Sequence, residues 1–219
     1  MTGPMPAETI TLSTADGLSL EARLTTPPDP VGDGPAAVAV ICHPHPLYGG
    51  SMDNNVVHRL AADLGAAAVP SVRFNFRGVG ASTGTHGGGQ AEVADVVAAI
   101  DELADRHPGV PVLLAGYSFG ADVALSVGDA RIAGWLAVSP PLRIVDPADM
   151  VAATDQRPTV IVAGTADDFR PADQAETMVA AWPATEVVAA AGVDHFWMQG
   201  LDHLAGATNH ALGLIATDR

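Results

Sequence analysis

Residues Val112–Gly120 read Val-Leu-Leu-Ala-Gly-Tyr-Ser-Phe-Gly, and this stretch decides the fold of the chain. A short apolar run stops abruptly at Gly-x-Ser-x-Gly, and helix-forming residues follow at once. The pattern predicts a buried strand that turns sharply into a helix and holds the Ser118 hydroxyl on a strained corner. Gly116 and Gly120 would let the two backbones pass closely, where a side chain would clash. The stretch therefore predicts a serine nucleophile at the end of a strand.

Strand and helix patterns alternate along the rest of the chain. Residues 8–13 and 18–24 alternate with period two on either side of the turn Ala15–Gly17, which predicts an opening β-hairpin. Further strands are predicted at residues 36–42, 69–76, 112–117, 132–138, 158–163 and 186–190. Helices are predicted at residues 52–64 with Ser51 as the N-cap, at 92–106, after Ser118 to about Val127, at 171–181, and finally to about Ala216.

The order of these elements predicts the fold class. The continuous apolar run Ala36–Cys42 is typical of a strand buried on both faces of a parallel sheet. Because crossovers between parallel strands are right-handed, repeated strand–helix units give one twisted, mostly parallel sheet flanked by helices. No repeat or linker interrupts the pattern, so we expect a single α/β domain over residues 1–219. The segment between Ser139 and Pro158 has room for a loop or a short helix and for no cap domain.

Composition excludes several classes of function. The net charge is −15 and all ten basic residues are arginine, which excludes lysine Schiff-base chemistry and a P-loop lysine. The acidity also argues against nucleic acid or an anionic membrane as a partner. The single cysteine, Cys42, lies in an apolar run and is expected to be a buried spectator. With no signal peptide and no transmembrane run, the expected location is cytoplasmic.

A serine hydroxyl needs a base and an orienting acid, and both can be placed in the sequence. Ligands of open parallel sheets bind at the carboxyl ends of strands. Asp167 follows the predicted strand that ends at Ala163, and His195 follows the last predicted strand. The order Ser118, Asp167, His195 is the nucleophile–acid–base order of one particular fold.

On these residues the chain resembles an α/β-hydrolase of the serine esterase type. The segments Gly116–Gly120, Gly164–Asp167 and His195–Phe196 match the three catalytic positions of that fold. More narrowly, His43–Asn54 and Asn75–Gly80 resemble small, lidless bacterial α/β-hydrolases related to dienelactone hydrolases. The chain departs from dienelactone hydrolases in having serine where they carry a cysteine nucleophile, so their substrate is not implied.

Other residues compete for the roles of acid and base. Asp168 is adjacent to Asp167, although the Gly-x-x-Asp spacing favours Asp167, and Asp146 or Asp149 could supply the acid from the preceding strand end. His58, His86 and His107 are expected at solvated positions, and His203 and His210, in the final helix, are expected at the surface or in packing positions.

An oxyanion hole needs two backbone N–H groups aimed at the developing negative charge. Phe119 N–H, directly after the nucleophile, is the first candidate. Pro44 and Pro46 have no N–H, so His45 is the expected second donor and Leu47 the alternative. The His43 and His45 side chains could be metal ligands, but His-x-His alone is a weak signal and a role in shaping the loop is favoured.

Together these residues predict a serine hydrolase that cleaves a small carboxylic ester through an acyl-enzyme and needs no cofactor or metal. Thioester cleavage, amide cleavage, acyl transfer or cyclisation would use the same parts, and a catalytically silent binding protein is an alternative of another class. Specificity depends on the shape of the pocket. An apolar substrate groove is predicted from Leu47, Tyr48, Leu142, Phe196 and Trp197.

Overall fold

The computed structural model describes residues 7–28 and 34–217. The strands are β1 (Ala7–Ser13), β2 (Ser19–Thr25), β3 (Val38–Cys42), β4 (Ser71–Phe74), β5 (Val112–Tyr117), β6 (Ile132–Val138), β7 (Thr159–Gly164) and β8 (Thr185–Ala190). The α-helices are α1 (Asn55–Ala66), α2 (Glu92–Arg106), α3 (Phe119–Leu125), α4 (Ala172–Val179) and α5 (His203–Thr217).

The eight strands form one sheet in the order β1-β2-β4-β3-β5-β6-β7-β8. β2 pairs antiparallel with both β1 and β4, and all other pairs are parallel. The predicted mostly parallel sheet with an opening hairpin is therefore confirmed. Because the parallel strands point the same way, the carboxyl ends of β3, β5, β6, β7 and β8 meet at one edge.

Helices cover both faces of the sheet, which explains why its central strands are apolar throughout. In β3, Val38, Val40 and Cys42 pack into the core beneath α2, α3 and α4. Ala39 and Ile41 of the same strand pack into the second core, beneath α1 and α5. Each large aliphatic side chain buried in this way stabilises the fold by about 1.5–3 kcal/mol. The two cores hold β5, and so the residue that follows it, in a fixed place.

The start of α1 differs from the prediction. The cap is Asn54, whose side chain accepts a hydrogen bond of 2.9 Å from the Val56 N–H, and the helix begins at Asn55. The predicted cap, Ser51, instead accepts a hydrogen bond from the Asp53 N–H within the preceding turn. Asn and Ser are almost equally good caps, so the sequence pattern cannot choose between them.

The segment between β6 and β7 contains two short 3-10 turns, Pro147–Asp149 and Val151–Ala153, and no cap domain. Among the described helices the longest have 15 residues, and none is long and apolar enough to cross a membrane.

Candidate active site

Ser118 sits on a sharp turn between β5 and α3. Its backbone has φ of 53° and ψ of −120°, a conformation that L residues rarely adopt. The Ser118 N–H donates to the Val138 carbonyl at 2.9 Å, which ties the turn to β6. A Cβ atom at Gly116 would lie 2.3 Å from the Gly120 carbonyl oxygen, and one at Gly120 would lie 2.5 Å from that of His43. Both glycines of the motif are therefore required by close backbone approach.

Ser118, His195 and Asp167 form a continuous hydrogen-bonded relay. Ser118 Oγ lies 2.9 Å from His195 Nε2, and His195 Nδ1 lies 2.9 Å from Asp167 Oδ2. Because a carboxylate only accepts, Nδ1 carries the imidazole proton and Nε2 is free to accept the proton of the serine. This is the arrangement that a base-activated nucleophile requires.

The Asp167 carboxylate is held ionised although it is buried. Burial opposes ionisation, but the hydrogen bond to His195 and those from the backbone N–H groups of Arg170 and Phe169 outweigh it. The result is a pKa of Asp167 below its usual value. The two backbone bonds, of 3.0 and 2.8 Å, converge on Oδ1 and fix the plane of the carboxylate.

The competing acids lie outside this relay. Asp168 and Asp149 are exposed to solvent, and Asp146 caps a 3-10 turn by accepting a hydrogen bond from the Ala148 N–H. Among the described side chains, Asp167 is the carboxylate that reaches His195.

The remaining histidines are also removed from the relay. His58 and His210 are exposed and face Asp53 and Glu186, while His203 is exposed and His107 is half-buried.

His86 is an exception to the expected solvated position. It is half-buried, its Nδ1 lies 2.9 Å from Glu92 Oε1, and its ring packs against those of His45 and Phe119. The glycine-rich loop around it folds back because the Gly87 and Gly89 N–H groups donate to the buried Glu92 carboxylate. Glu92, six residues further along the chain at the start of α2, thus orders the loop that carries His86.

His43 shapes the loop after β3. Its Nε2 accepts a hydrogen bond of 3.0 Å from the Phe76 N–H, and its Nδ1–H donates to the Pro44 carbonyl at 2.6 Å. Burial lowers the pKa of His43 to about 4, so the ring is neutral. Both ring nitrogens are occupied within the protein, which agrees with the structural role favoured from the sequence.

The same loop narrows the choice of oxyanion donor. The Leu47 N–H donates to His45 Nδ1 at 3.2 Å, and the Tyr48 and Gly50 N–H groups donate to the His45 carbonyl. These three donors are engaged, whereas none of the hydrogen bonds that order the loop uses the His45 N–H. His45 therefore stays the candidate donor beside Phe119, whose N–H follows the nucleophile at the start of α3.

A cavity of about 570 Å³ opens over Ser118 and His195. Of the five residues predicted to form an apolar groove, Tyr48 and Phe196 line it, while Leu47 is exposed outside its lining. Leu142 and Trp197 were wrongly placed there by the sequence, because both are buried in the core.

Trp197 instead anchors the loop that carries His195. Its indole N–H donates to Ser139 Oγ at 3.1 Å, and its carbonyl accepts a hydrogen bond from the Asn55 side chain. Tyr117 acts from the other side, since its hydroxyl donates to the His195 carbonyl at 2.7 Å. Together they position the imidazole.

Sequence reasoning missed several lining residues. Phe169 packs its ring 4.3 Å from that of His195, centre to centre. Its place two residues after Asp167, and that of Tyr117 directly before Ser118, could have identified both. No comparable signal pointed to Arg143 or Ile144. The remaining lining residues are Pro44, Gly49, Gly50, Asn54 and Pro141.

Comparison with known proteins agrees with this geometry. Residues 34–156, more than half of the chain, match the family model described as serine aminopeptidase, S33. An α/β serine hydrolase homologue from Coxiella burnetii is 33% identical, with a TM-score of 0.82 over 96% of this chain and 97% of that one. A Xanthomonas campestris protein described as an α/β serine hydrolase without a lid is 28% identical, with a TM-score of 0.83 over 97% and 96% of the two chains.

An uncharacterized protein of Rickettsia prowazekii (strain Madrid E) is 37% identical over 148 residues. The match covers 66% of this chain and 62% of that protein.

Proposed function

The chain belongs to the serine aminopeptidase S33 family and is an α/β serine hydrolase, and from this premise we propose that it cleaves a carboxylic ester of a small molecule. The observation that carries the proposal is the relay of 2.9 Å contacts from Ser118 through His195 to Asp167, at the base of an open cavity. The strained turn presents the hydroxyl to that cavity, so a substrate carbonyl can reach it.

In the proposed reaction, Ser118 Oγ attacks the ester carbonyl while His195 Nε2 takes its proton. Asp167 stabilises the imidazolium that forms and keeps its orientation. The Phe119 and His45 N–H groups stabilise the oxyanion of the tetrahedral intermediate. His195 then protonates the leaving alcohol, and an acyl-enzyme remains on Ser118. A water molecule, activated by His195, hydrolyses it, so the cycle needs no cofactor.

The cavity favours an ester over the N-terminal residue of a peptide, although the family model is described as an aminopeptidase. An enzyme that selects a free N-terminus needs an acceptor, most simply a carboxylate, for its ammonium group. Among the described residues that line the cavity there is no aspartate or glutamate, and the residue with a permanent charge is Arg143. An ammonium group would therefore meet no counter-charge in the cavity wall. A thioester satisfies the same geometry and is the second substrate class to test.

We further propose that the substrate is met in the cytoplasm and that neither nucleic acid nor membrane is a partner. The single cysteine is buried, and the chain carries a net charge of −15. This charge would repel nucleic acid and anionic lipid.

The test is a panel of p-nitrophenyl esters of graded acyl length, with acyl-thioester counterparts and aminoacyl p-nitroanilides. We expect hydrolysis of esters and labelling of Ser118 by a fluorophosphonate, detected by mass spectrometry. Ser118→Ala, purified in the same way, is the matched control. Hydrolysis of the anilides with no hydrolysis of esters would contradict the proposal, as would full ester hydrolysis by Ser118→Ala.

A further inference from the structure

Arg143 lies in the segment after β6 and lines the cavity together with Ser118. Its guanidinium carbon is 5.4 Å from the centre of the Phe169 ring, which is in turn 4.3 Å from the centre of the His195 ring. The guanidinium therefore lies within about 10 Å of the imidazole. A charged group and the base are thus joined by one aromatic side chain along the cavity wall.

Within the described part of the chain, the guanidinium of Arg143 contacts an aromatic ring, that of Phe169, and is not neutralised by an ion pair. The sequence contains 25 acidic residues and ten basic ones, so carboxylates are abundant. Among the described residues no carboxylate forms an ion pair with Arg143, and its side chain is exposed. The arginines that do pair with carboxylates are Arg59, Arg77, Arg106, Arg131 and Arg157.

The backbone of Arg143 is nevertheless fixed relative to the nucleophile. The Asp122 carboxylate, fully buried in α3, accepts hydrogen bonds of 3.0, 3.0 and 2.9 Å from the N–H groups of Leu142, Arg143 and Ile144. Asp122 lies in α3, four residues after Ser118, which caps the start of that helix. A buried carboxylate with three backbone partners holds this segment in one position, including Leu142 at a φ of 52°.

We propose that Arg143 is a specificity-determining residue that binds a carboxylate of the substrate, so that the preferred substrate is an ester or thioester carrying a second, anionic group. This inference rests on the proposed function and names its substrate class. A guanidinium presents paired N–H donors that match a carboxylate. The Phe169 ring would contact the hydrocarbon between the carboxylate and the scissile carbonyl. The absence of aspartate and glutamate from the described lining means that nothing there repels such an anion.

The experiment compares charged and neutral esters of similar length in a pH-stat assay. One pair places the carboxylate on the acyl side: monomethyl adipate against methyl hexanoate. The other places it on the alcohol side: the butyrate ester of γ-hydroxybutyrate against butyl butyrate. We expect kcat/KM to favour the charged member in one of the pairs by about tenfold or more, since hydrogen bonds between a guanidinium and a carboxylate are among the stronger ones in proteins. The pair that shows the preference identifies the side of the ester that faces Arg143.

Three variants assign that preference to Arg143. In Arg143→Gln the ratio of kcat/KM for the charged over the neutral ester should fall about tenfold, and in Arg143→Lys most of the ratio should return because the charge remains. Arg23→Gln is the matched control, because it removes one positive charge at β2, where the arginine donates to Thr9. Its ratio should equal that of the wild type.

The outcomes separate this inference from the proposed function. Equal use of charged and neutral esters in both pairs, or an unchanged ratio in Arg143→Gln, overturns the role of Arg143 and leaves the esterase proposal standing. Failure to hydrolyse any ester overturns the proposed function, and with it the inference.

Discussion

The floor and the rim of the cavity are built in different ways. We call Ser118, His195 and Asp167 the floor, and Tyr48, Arg143, Phe169 and Phe196 the rim. Floor residues are almost sealed from solvent, with 8% of Ser118 and 6% of His195 exposed, whereas 86% of Tyr48 and 58% of Phe196 is exposed. The chemistry is thus placed on buried strand ends, and recognition on exposed loops.

The difference follows from what holds each part. The floor residues follow β5, β7 and β8, whose backbones are fixed by the sheet and by two apolar cores. On the rim, the backbone of residues 142–144 depends on one buried carboxylate, Asp122. Substitutions in the floor should therefore abolish the reaction, while those in the rim should change which substrate is used.

The largest loss of activity is expected for substitutions of the floor residues. Ser118→Ala, His195→Ala and Asp167→Asn should each lower kcat/KM for a p-nitrophenyl ester by about 10⁴–10⁶-fold, because the members of such a relay act as a unit. Circular dichroism and the melting temperature should stay near those of the wild type.

Asp168→Asn is the internal control and should retain near wild-type activity, since this carboxylate is exposed beside the relay. If Asp168→Asn lost most of the activity and Asp167→Asn lost little, the acid would be Asp168.

Gly120→Ala tests how rigidly the floor is built. The new Cβ would lie 2.5 Å from the His43 carbonyl oxygen, so the backbone of the turn or of the loop after β3 must move. We expect a loss of at least about 2 kcal/mol in the free energy of unfolding and a fall of about a hundredfold in kcat from the displaced nucleophile.

Gly206→Ala in α5 is the matched control, because a Cβ there meets nothing within 4 Å. It should stabilise the protein by about 0.5–1 kcal/mol, as expected for alanine in a helix. Urea denaturation measures both variants, and equal stability of the two would show that the turn is not tightly packed.

Asp122→Asn should disturb the rim and spare the floor. The amide offers N–H groups where three backbone donors need acceptors, so we expect a destabilisation of about 1–3 kcal/mol. The preference for carboxylate-bearing esters should fall, because Arg143 would no longer be held in place. Asp146→Asn, which removes an exposed carboxylate in the same segment, should leave both quantities unchanged.

The difference in stability between the wild type and Asp122→Asn should depend on pH. Burial raises the pKa of Asp122 from 3.8 to about 6, against the hydrogen bonds from Ile144, Arg143 and Leu142. On acidification the folded wild type binds a proton at Asp122 near pH 6, whereas the unfolded chain binds it near pH 3.8. Between these two pH values the wild type therefore gains stability, and Asp122→Asn does not. The difference in unfolding free energy between the two should therefore grow by up to about 3 kcal/mol from pH 7 to pH 4. Urea titrations at both pH values measure it, and a difference that shrinks on acidification would contradict the raised pKa.

The smallest expected effect is on how the rate depends on the physical state and the length of the substrate, because the rim is open. With two 3-10 turns in place of a cap, the described segment between β6 and β7 supplies no cover that must open at an oil–water interface. The rate should rise smoothly with soluble substrate, and short acyl esters should be preferred because a long chain would lie largely in water. A jump in rate when the substrate forms droplets, or an optimum at long acyl chains, would contradict this expectation.

The difference between floor and rim also explains which features could be predicted from the sequence and which could not. Glycines around Ser118, apolar runs and strand-end positions are local signals, and they predicted the sheet, its hairpin and the three residues that the structure brings into the relay. Trp197 and Leu142 were misplaced because an aromatic or apolar residue near a strand end can face a groove or the core. Their left-handed backbones and their hydrogen bonds to Ser139 and Asp122 depend on partners 58 and 20 residues away.

The sequence by itself determined the order of the relay residues along the chain, from the nucleophile at Ser118 to the base at His195, because each follows a strand that can be recognised locally. The sequence also pointed to Tyr48 and Phe196 in the cavity wall, and tertiary structure decided which other loop residues surround the relay. The place of Arg143 depends on Asp122, that of Phe169 on its packing against His195, and that of His86 on Glu92. Glu92 is only six residues from His86, but Asp122 is 21 residues from Arg143 and His195 is 26 from Phe169, and no local pattern of residue types records contacts of that separation.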